Sequence, residues 1–553
     1  MNKKMKKTAM LLAAATMASQ AIIPVSADEV CNAEGFPIVN EEVTIRILTQ
    51  SSTQATDFTD MNDAPAWKYI EELTGVNIEI EEYTSEDLAT KLPLIMSDPD
   101  NMPDILWQAK LGEDNTMAYG EEGLLLDMSP YLEKYGPNII KTFESDAAFE
   151  GFARSADGGL YSLPSYNGEH GGYFLVINQR WMDNCGITEL PTTLEEFKDM
   201  LIKFRDMDAN GNGDATDEIP LQANNNSLWA VMGDSVGMMG TWPYIGATWY
   251  ADDNSTEVHP TFASDRYRYA VEYVKSLYDE GLMNQDYLTT QEGNARRLSD
   301  IHGVLVYQTW PTKEEKYDPD EWVVIPCPKS ELYDMEYQTL EPAYQTNMAA
   351  ITSNTKYPEV CVRILDYAMS VEGSAIFSAI NPKDYDVEAL KEAGMSEEAI
   401  ELCAEFRKTV DTGIDQANLF GTYGCRNIKQ LSQYKLPTTE YANNIQKTIQ
   451  ENIRDVYHKN GKTKNAFTYS LKFLPEESEV IAQYQADIDT YVKDKLSQWV
   501  TGGEELNDDT WNAYIKQLEA MEVDQLTDAY QAAANRWYGV EAEEEVETEV
   551  ETE

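Results

Sequence analysis

Between Tyr173 and Leu221 the chain reads YFLVINQRWMDNCGITELPTTLEEFKDMLIKFRDMDANGNGDATDEIPL, a run that leaves few choices of local structure. Phe174, Val176 and Asn178 alternate with Leu175 and Ile177 behind Gly171 and Gly172, which suits a strand buried on both faces. Thr193 predicts an N-cap and Glu196, three positions on, completes a capping box. Leu194, Phe197, Leu201 and Phe204 then recur at helical spacing. That helix leads directly into a loop from Asp206 to Glu218.

The loop is dense in the small oxygen-bearing side chains that a hard cation requires. Counting from Asp206, the residues Asp208, Asn210, Gly211 and Asp217 fall at positions three, five, six and twelve of an EF-hand-like frame, with Asp in place of the closing Glu. Counting from Asp208, the frame offers Asp208, Asn210 and Asn212, the Asp214 carbonyl, Asp217, and Glu218 as a bidentate ligand. Gly211 and Gly213 supply the positive-φ freedom that curls oxygens around one point. With no thiolate or imidazole nearby, calcium is the natural ion and its role structural, since a saturated ion has no open position for a substrate. The alternative is a metal-free cluster of Asn, Gly and Asp turns.

INQRWMDNCGI, LPTTLEEFKDML and DANGNGDATDEIPL resemble the large extracellular solute-binding proteins of bacterial ABC importers, in the branch that captures oligosaccharides and includes alginate-oligosaccharide binders. Further segments agree in the family's order: ELTGVNIEIEEY with MPDILW, then YVKSLYDEGLMNQDY, then LPEESEVIAQYQADIDTYV and WNAYIKQLEAMEVDQLTDAYQAAANRW. The resemblance implies an α/β, two-lobed periplasmic-binding-protein-like (type II) fold with a hinge and an interlobe ligand cleft. It makes the loop a calcium site in the register that starts at Asp208, with Asp208, Asn210, Asn212, Asp214, Asp217 and Glu218 as ligands. The partners it implies are an oligosaccharide and the transmembrane subunits of an ABC permease, and the protein is expected to act as a monomer.

Residues 1–27 have the form of a secretory signal: Lys3, Lys4, Lys6 and Lys7, a mostly apolar Ala9 to Ala21, and small residues before Asp28. The segment is short for a membrane span. Cys31 would suit a lipid anchor, but Asp28, Glu29 and Val30 precede it where a lipoprotein signal has small and apolar residues. Secretion or non-covalent retention at the cell surface is therefore expected. The formal charge of −55, or −59 without the four lysines of that signal, argues against nucleic acid and anionic membranes as partners and disfavours a polyanionic ligand. Cys31, Cys185, Cys327, Cys361, Cys403 and Cys425 form no CxxC pair, and spacing alone fixes no disulfide.

From Val43 to Trp107 the pattern is β-α-β-α-β. Val43, Ile45 and Ile47 line one strand face, Val76, Ile78 and Ile80 another, and Trp67, Ile70 and Leu73, or Leu88, Leu92 and Ile95, a helix face. Such a unit predicts a mainly parallel sheet with ligands beyond the carboxyl ends of its strands. The expected division is 28–168 for the first part of an N-lobe and 169–335 for the first part of a C-lobe holding the 206–218 loop. The second part of the N-lobe follows at 336–385, and a helical second part of the C-lobe at 386–539. Residues 540–553 form an acidic tail too poor in apolar groups to order.

Flat aromatic rings stack on the apolar faces of pyranoses. Trp107 closes the third strand, and Tyr166 closes DGGLYSLPSY on the way to the second lobe. Trp242 and Trp249 lie in an Asn- and Gly-rich stretch with Trp229, Tyr244 and Tyr250, and Tyr344 opens a further crossing. The fold resemblance places Trp310, like Trp107, at a sugar-stacking position. Trp107, Tyr166, Trp242, Trp249, Trp310 and Tyr344 are thus the ligand-binding candidates, with core packing as the alternative for each.

No catalytic residue is expected. Gly233-Asp234-Ser235-Val236-Gly237 matches the GxSxG pattern, but the residues that follow make a poor helix start and none of the four histidines is nominated as its base. No motif selects a pair of carboxylates for glycoside hydrolysis. The chain has no P-loop, dinucleotide fingerprint or HExxH, so the ATPase driving uptake belongs to another chain. A secreted glycan-active enzyme and a carbohydrate-binding surface protein are the rival readings.

Overall fold

The computed structural model of the chain describes residues 30–51, 60–166, 174–238, 248–251, 255–290, 300–307, 321–333, 338–340, 344–409, 425–436, 463–465 and 471–540. The expected signal (1–27) and nearly all of the acidic tail lie outside them. In chain order the strands are β1 (Thr44–Gln50), β2 (Asn77–Tyr83), β3 (Ile105–Trp107), β4 (Ser162–Tyr166), β5 (Phe174–Asn178), β6 (Ile219–Gln222) and β7 (Trp249–Ala251). They continue as β8 (Val258–Pro260), β9 (His302–Tyr307), β10 (Trp322–Ile325), β11 (Gln338–Leu340), β12 (Tyr344–Ile351) and β13 (Thr463–Asn465).

The first sheet has the order β2-β1-β3-β12-β4. β1 runs parallel to β2 and β3, and β12 enters antiparallel to both β3 and β4. Both faces are covered, as a parallel sheet requires. Val43, Ile45 and Ile47 face a core with Trp67 and Ile70 of the helix Pro65–Thr74, while Leu48 and Leu106 face Leu88, Leu92 and Met96 of the helix Ser85–Met96. The two helix faces read from the sequence thus serve opposite sides of one sheet.

The second sheet has the order β10-β5-β9-β6, and every residue of β5 is buried, as its unbroken apolar run predicts. Thr193 caps the helix Leu194–Asp206 in a capping box closed by Glu196. Leu194, Phe197, Leu201 and Phe204 join Leu175 and Ile177 in a second core, which the helices Asp265–Asp279, Pro475–Thr501, Asp508–Ala520 and Val523–Tyr538 enclose.

One expected boundary moves. The helical second part of the C-lobe was placed from 386, yet Leu390, Met395, Ala399, Cys403, Cys425 and Leu431 all belong to the first core. The helices Val387–Glu392 and Glu397–Thr409 bring an apolar face of their own to that core, and among the described residues the chain next joins the second core at Leu471. All six cysteines are free and buried, and burial pushes the Cys31 thiol up to about 12. Among the described residues no helix is long and apolar enough to cross a membrane.

Thr193→Ala should remove about 1 kcal/mol of stability by orphaning the Glu196 N–H. Calorimetry should record this as a fall of about 2–4 °C in the melting of the second lobe.

Candidate functional site

The parallel strands of the first sheet end at Gln50, Tyr83 and Trp107. β4 ends and antiparallel β12 begins at the same edge, where Tyr166 and Tyr344 are Cα partners. In the second sheet, β6 and β9 end where β5 begins. Seven residues separate Tyr166 from Phe174, so the chain leaves the first sheet at this edge and enters the second at its corresponding edge over at most about 30 Å. Carboxyl edges of open α/β sheets are where ligands bind.

Tyr166 and Tyr344 are brought together there, their rings edge to face with centroids 5.3 Å apart. The Tyr344 hydroxyl donates to the Asp146 carboxylate, lying 2.9 and 3.0 Å from its two oxygens, and Phe152 stacks on the Tyr344 ring at 4.8 Å. Asp146 caps the helix Ala147–Ala153 through the Phe149 N–H and pairs with Lys429 at 2.7 Å. The half-exposed Lys429 ammonium lies 5.6 Å from the centre of the Tyr166 ring. Both rings are buried in the first core, so in this arrangement the edge offers a polar ligand the half-exposed Lys429 ammonium, its charge balanced by Asp146. Sequence pattern does not disclose Asp146 or Lys429, because no periodicity links them to Tyr344.

Two tryptophans stand elsewhere than the sequence reading placed them. Trp107 closes β3 at the expected edge but is fully buried in the first core, packed against Trp67 and Phe377 with ring centroids 5.1 and 4.8 Å away. In this arrangement it presents no face for stacking a sugar. Trp249 is also fully buried: Tyr530 stacks on it at 3.9 Å, Phe262 meets its edge, and its Nε1–H donates to Thr527 Oγ1 at 3.1 Å. Trp229 is likewise interior, in the helix Asn225–Ser235. The polar stretch looks like exposed loop in sequence, but the distant helix Val523–Tyr538 covers Trp249. Trp242, Tyr244 and Trp310 lie outside the described residues; β9 ends at Tyr307, three positions before Trp310.

The oxygen-rich loop is wound by three successive Asx turns. Asn210 Oδ1 accepts from the Asn212 N–H, Asn212 Oδ1 from the Asp214 N–H, and Asp214 Oδ1 from the Thr216 N–H. Asp208 Oδ2 accepts from Gly213 N–H at 2.9 Å, and Gly211 and Gly213 have φ of 74° and 92°. Asp217 takes hydrogen bonds from the Asn210 and Asn212 side-chain amides at 3.0 and 2.8 Å. Two oxygens are left over: Asp208 Oδ1 and Glu218 Oε2 are buried with no hydrogen-bond partner. Burial raises the Glu218 pKa. Orphaned buried anionic oxygens fit a hard cation. Among the described residues, however, no three His, Cys, Asp or Glu side chains converge closely enough to enclose one, because Asp217 is turned to the two amides. Asp206 lies apart in an exposed pair with Arg205 at 2.7 Å, which removes the first ligand of the register that starts there.

Ser235 of the GxSxG match ends the helix Asn225–Ser235, fully buried, and is no strand-to-helix elbow. A cavity of about 310 Å³ opens on the first lobe between Gly35, Arg363, Asp366, Glu372 and Gln430, away from the paired edges. Its acids are already committed. Asp366 accepts the Asn138 and Ile139 N–H groups, and Glu372 binds Tyr69, Tyr367 and the Ser396 N–H.

Comparison with known proteins bears on what this edge serves. The family model for bacterial extracellular solute-binding proteins matches residues 57–375, more than half of the chain. The chain is 25% identical over 513 residues to the fructooligosaccharide ABC transporter substrate-binding protein FusA of Streptococcus pneumoniae, covering 88% of each. A FusA EF-hand mutant in complex with fructo-nystose superposes with a TM-score of 0.66 at 20% identity, over 90% of this chain and all of that one. An HMO-binding solute-binding protein from Bifidobacterium longum infantis gives 0.70 at 20% identity, over 90% of this chain and 99% of that one. The alginate-binding protein AlgQ2 without calcium ion gives 0.65 at 18%, with the same coverages.

Trp249→Ala should cost about 3–5 kcal/mol in stability, as expected for a large ring deleted from a packed core. Denaturant unfolding should show the loss; an unchanged midpoint would return Trp249 to the ligand-binding candidates.

Proposed function

The chain belongs to the bacterial extracellular solute-binding protein family, the non-catalytic binding components of ABC transporters, and we propose that its solute is an oligosaccharide held between the two lobes. The single observation that supports this is the half-exposed Lys429, set with Asp146 and the buried Tyr166–Tyr344 pair at the carboxyl edge of the first sheet. Rings supply contact area, and the charged and hydroxyl groups select hydroxyl stereochemistry. Trp310 and Trp242 complete the proposed wall from the second lobe on sequence grounds. Trp107 serves beneath it as a packed floor.

Ligand binding must favour one lobe arrangement if a permease is to distinguish loaded from empty protein. The solute is proposed to pass from there to the transmembrane subunits, with the protein acting as an exported monomer. Residues 1–27 provide the export signal in this reading.

The 206–218 loop is proposed to hold calcium through Asp208, Asn210, Asn212, the Asp214 carbonyl, Asp217 and Glu218. The bound ion would supply positive charge to the orphaned oxygens of Asp208 and Glu218. The chain's own work is to wind the backbone so that these oxygens face inward. The role is structural, since the helix Leu194–Asp206 and β6 flank the loop and both belong to the second core.

The mature protein should show a saturable thermal shift with defined fructo- or galacto-type oligosaccharides, and the sugar should be recovered intact. Cleavage products would overturn the binding reading, and a flat response to every sugar tested would remove oligosaccharide as the solute. Trp310→Ala should weaken binding roughly tenfold through loss of one stacking contact, read by calorimetry, without lowering the melting temperature.

Chelator should lower melting by several degrees, and added calcium should restore it. Asp208→Ala should abolish that calcium response. If the wild-type protein melts identically with and without chelator, the ion assignment is wrong.

A further inference from the structure

Among the described residues the chain passes between the two cores three times: after Tyr166, before Tyr344 and before Leu471. Around these points lies a cluster that neither the ligand reading nor the loop uses. Lys472, next to Leu471 of the second core, extends its ammonium to Glu113 of the first-lobe helix Glu113–Glu121 at 2.7 Å and to the Phe152 carbonyl at 3.3 Å. The side chains are 10% and 25% exposed, so the pair is well shielded from solvent screening.

On the first-lobe side, the same Glu113 oxygen accepts from Asn347 Nδ2 at 3.0 Å, and Asn347 Oδ1 accepts from the Ser162 hydroxyl at 2.7 Å. Asn347 has φ of 56°, which Asn tolerates better than most residues, and it sits where the pairing of β12 with β4 shifts register. It is three residues from Tyr344, as Ser162 is four from Tyr166. The strands that carry the proposed ligand pair are therefore the strands that hold Glu113.

On the second-lobe side, Lys472 is held by its own backbone. Arg536 donates to the Lys472 carbonyl at 2.7 Å and pairs with Glu477, whose carboxylate also accepts the Leu474 N–H at the start of the helix Pro475–Thr501. Beside Arg536, the Trp537 ring meets Phe152 at 5.9 Å, and Phe152 stacks on Tyr344. An ion pair and an aromatic contact thus cross between the lobes at one place, each braced from both sides.

We propose that Glu113 and Lys472 are positioning residues that form, with Phe152 and Trp537, the pivot on which the two lobes turn. The pivot fixes the axis of closure and joins it to the strands bearing Tyr166 and Tyr344. Its purpose rests on the solute-binding reading above, whereas its existence is testable without any ligand.

The test uses the ligand-free full mature chain, spin-labelled through non-canonical residues at exposed Glu86 in the first lobe and Glu519 in the second, with the interlobe distance distribution read by pulsed EPR. Lys472→Met and Glu113→Gln should each broaden that distribution roughly twofold, and the double variant should broaden it no further than either alone. Melting temperature and near-ultraviolet circular dichroism report whether each variant is folded, and the isosteric Glu113→Gln carries the test if Lys472→Met does not fold. An unchanged width in folded Glu113→Gln, or additive broadening in the double variant, would overturn the pivot. Absence of oligosaccharide binding alongside a broadened distribution would instead overturn the solute assignment and leave the pivot standing.

Discussion

β12 is the constraint on which the rest depends. It lies between β3 and β4, antiparallel to both, yet the whole first portion of the second lobe separates it from them in sequence. The first sheet is therefore complete only after the chain has left, laid down all four strands of the second sheet and come back. This order forces the crossing segments to one edge, because β4 must exit and β12 must enter where their Cα partners Tyr166 and Tyr344 meet. The hinge, the aromatic pair and the Glu113–Lys472 contact are neighbours for that topological reason.

Burial then decides which aromatic groups are free to act. Both faces of the first sheet carry buried apolar residues, so helices cover both sides and Trp107, Trp67 and Phe377 pack together at the end of β3. In the second lobe the C-terminal helices reach back over Trp249, where Tyr530 occupies its face. Tyr166 and Tyr344 at the edge are packed into the first core as well, Tyr344 against Phe149, Phe152 and Tyr166 with its hydroxyl tied to Asp146, and the Lys429 side chain beside them is half exposed.

Local pattern was legible and long-range contact was not. The alternation of β5, the capping box at Thr193 and Glu196, and the three strands through Trp107 all follow from spacing of a few residues, and each is present. The division at 386 failed because an amphipathic helix announces that it has an apolar face but not which core receives it. Trp249 misled for a related reason: a ring in a run of Asn and Gly reads as loop until a helix some 280 residues later is known to cover it. Lys472 and Glu113, 359 residues apart, carry no sequence signal at all.

Charge bears on which sugar such an edge could take. A chain of net −55 repels polyanions over its whole surface, and only a local concentration of positive charge would overcome that field. At the described edge, Lys429 is balanced by Asp146, so this cation enters the site already neutralised. An ammonium held this way still donates hydrogen bonds to a hydroxyl, but it has little net charge to offer a carboxylate. For the proposed oligosaccharide solute, the Lys429–Asp146 pairing acts in the same direction as the overall charge, against a polyanionic ligand.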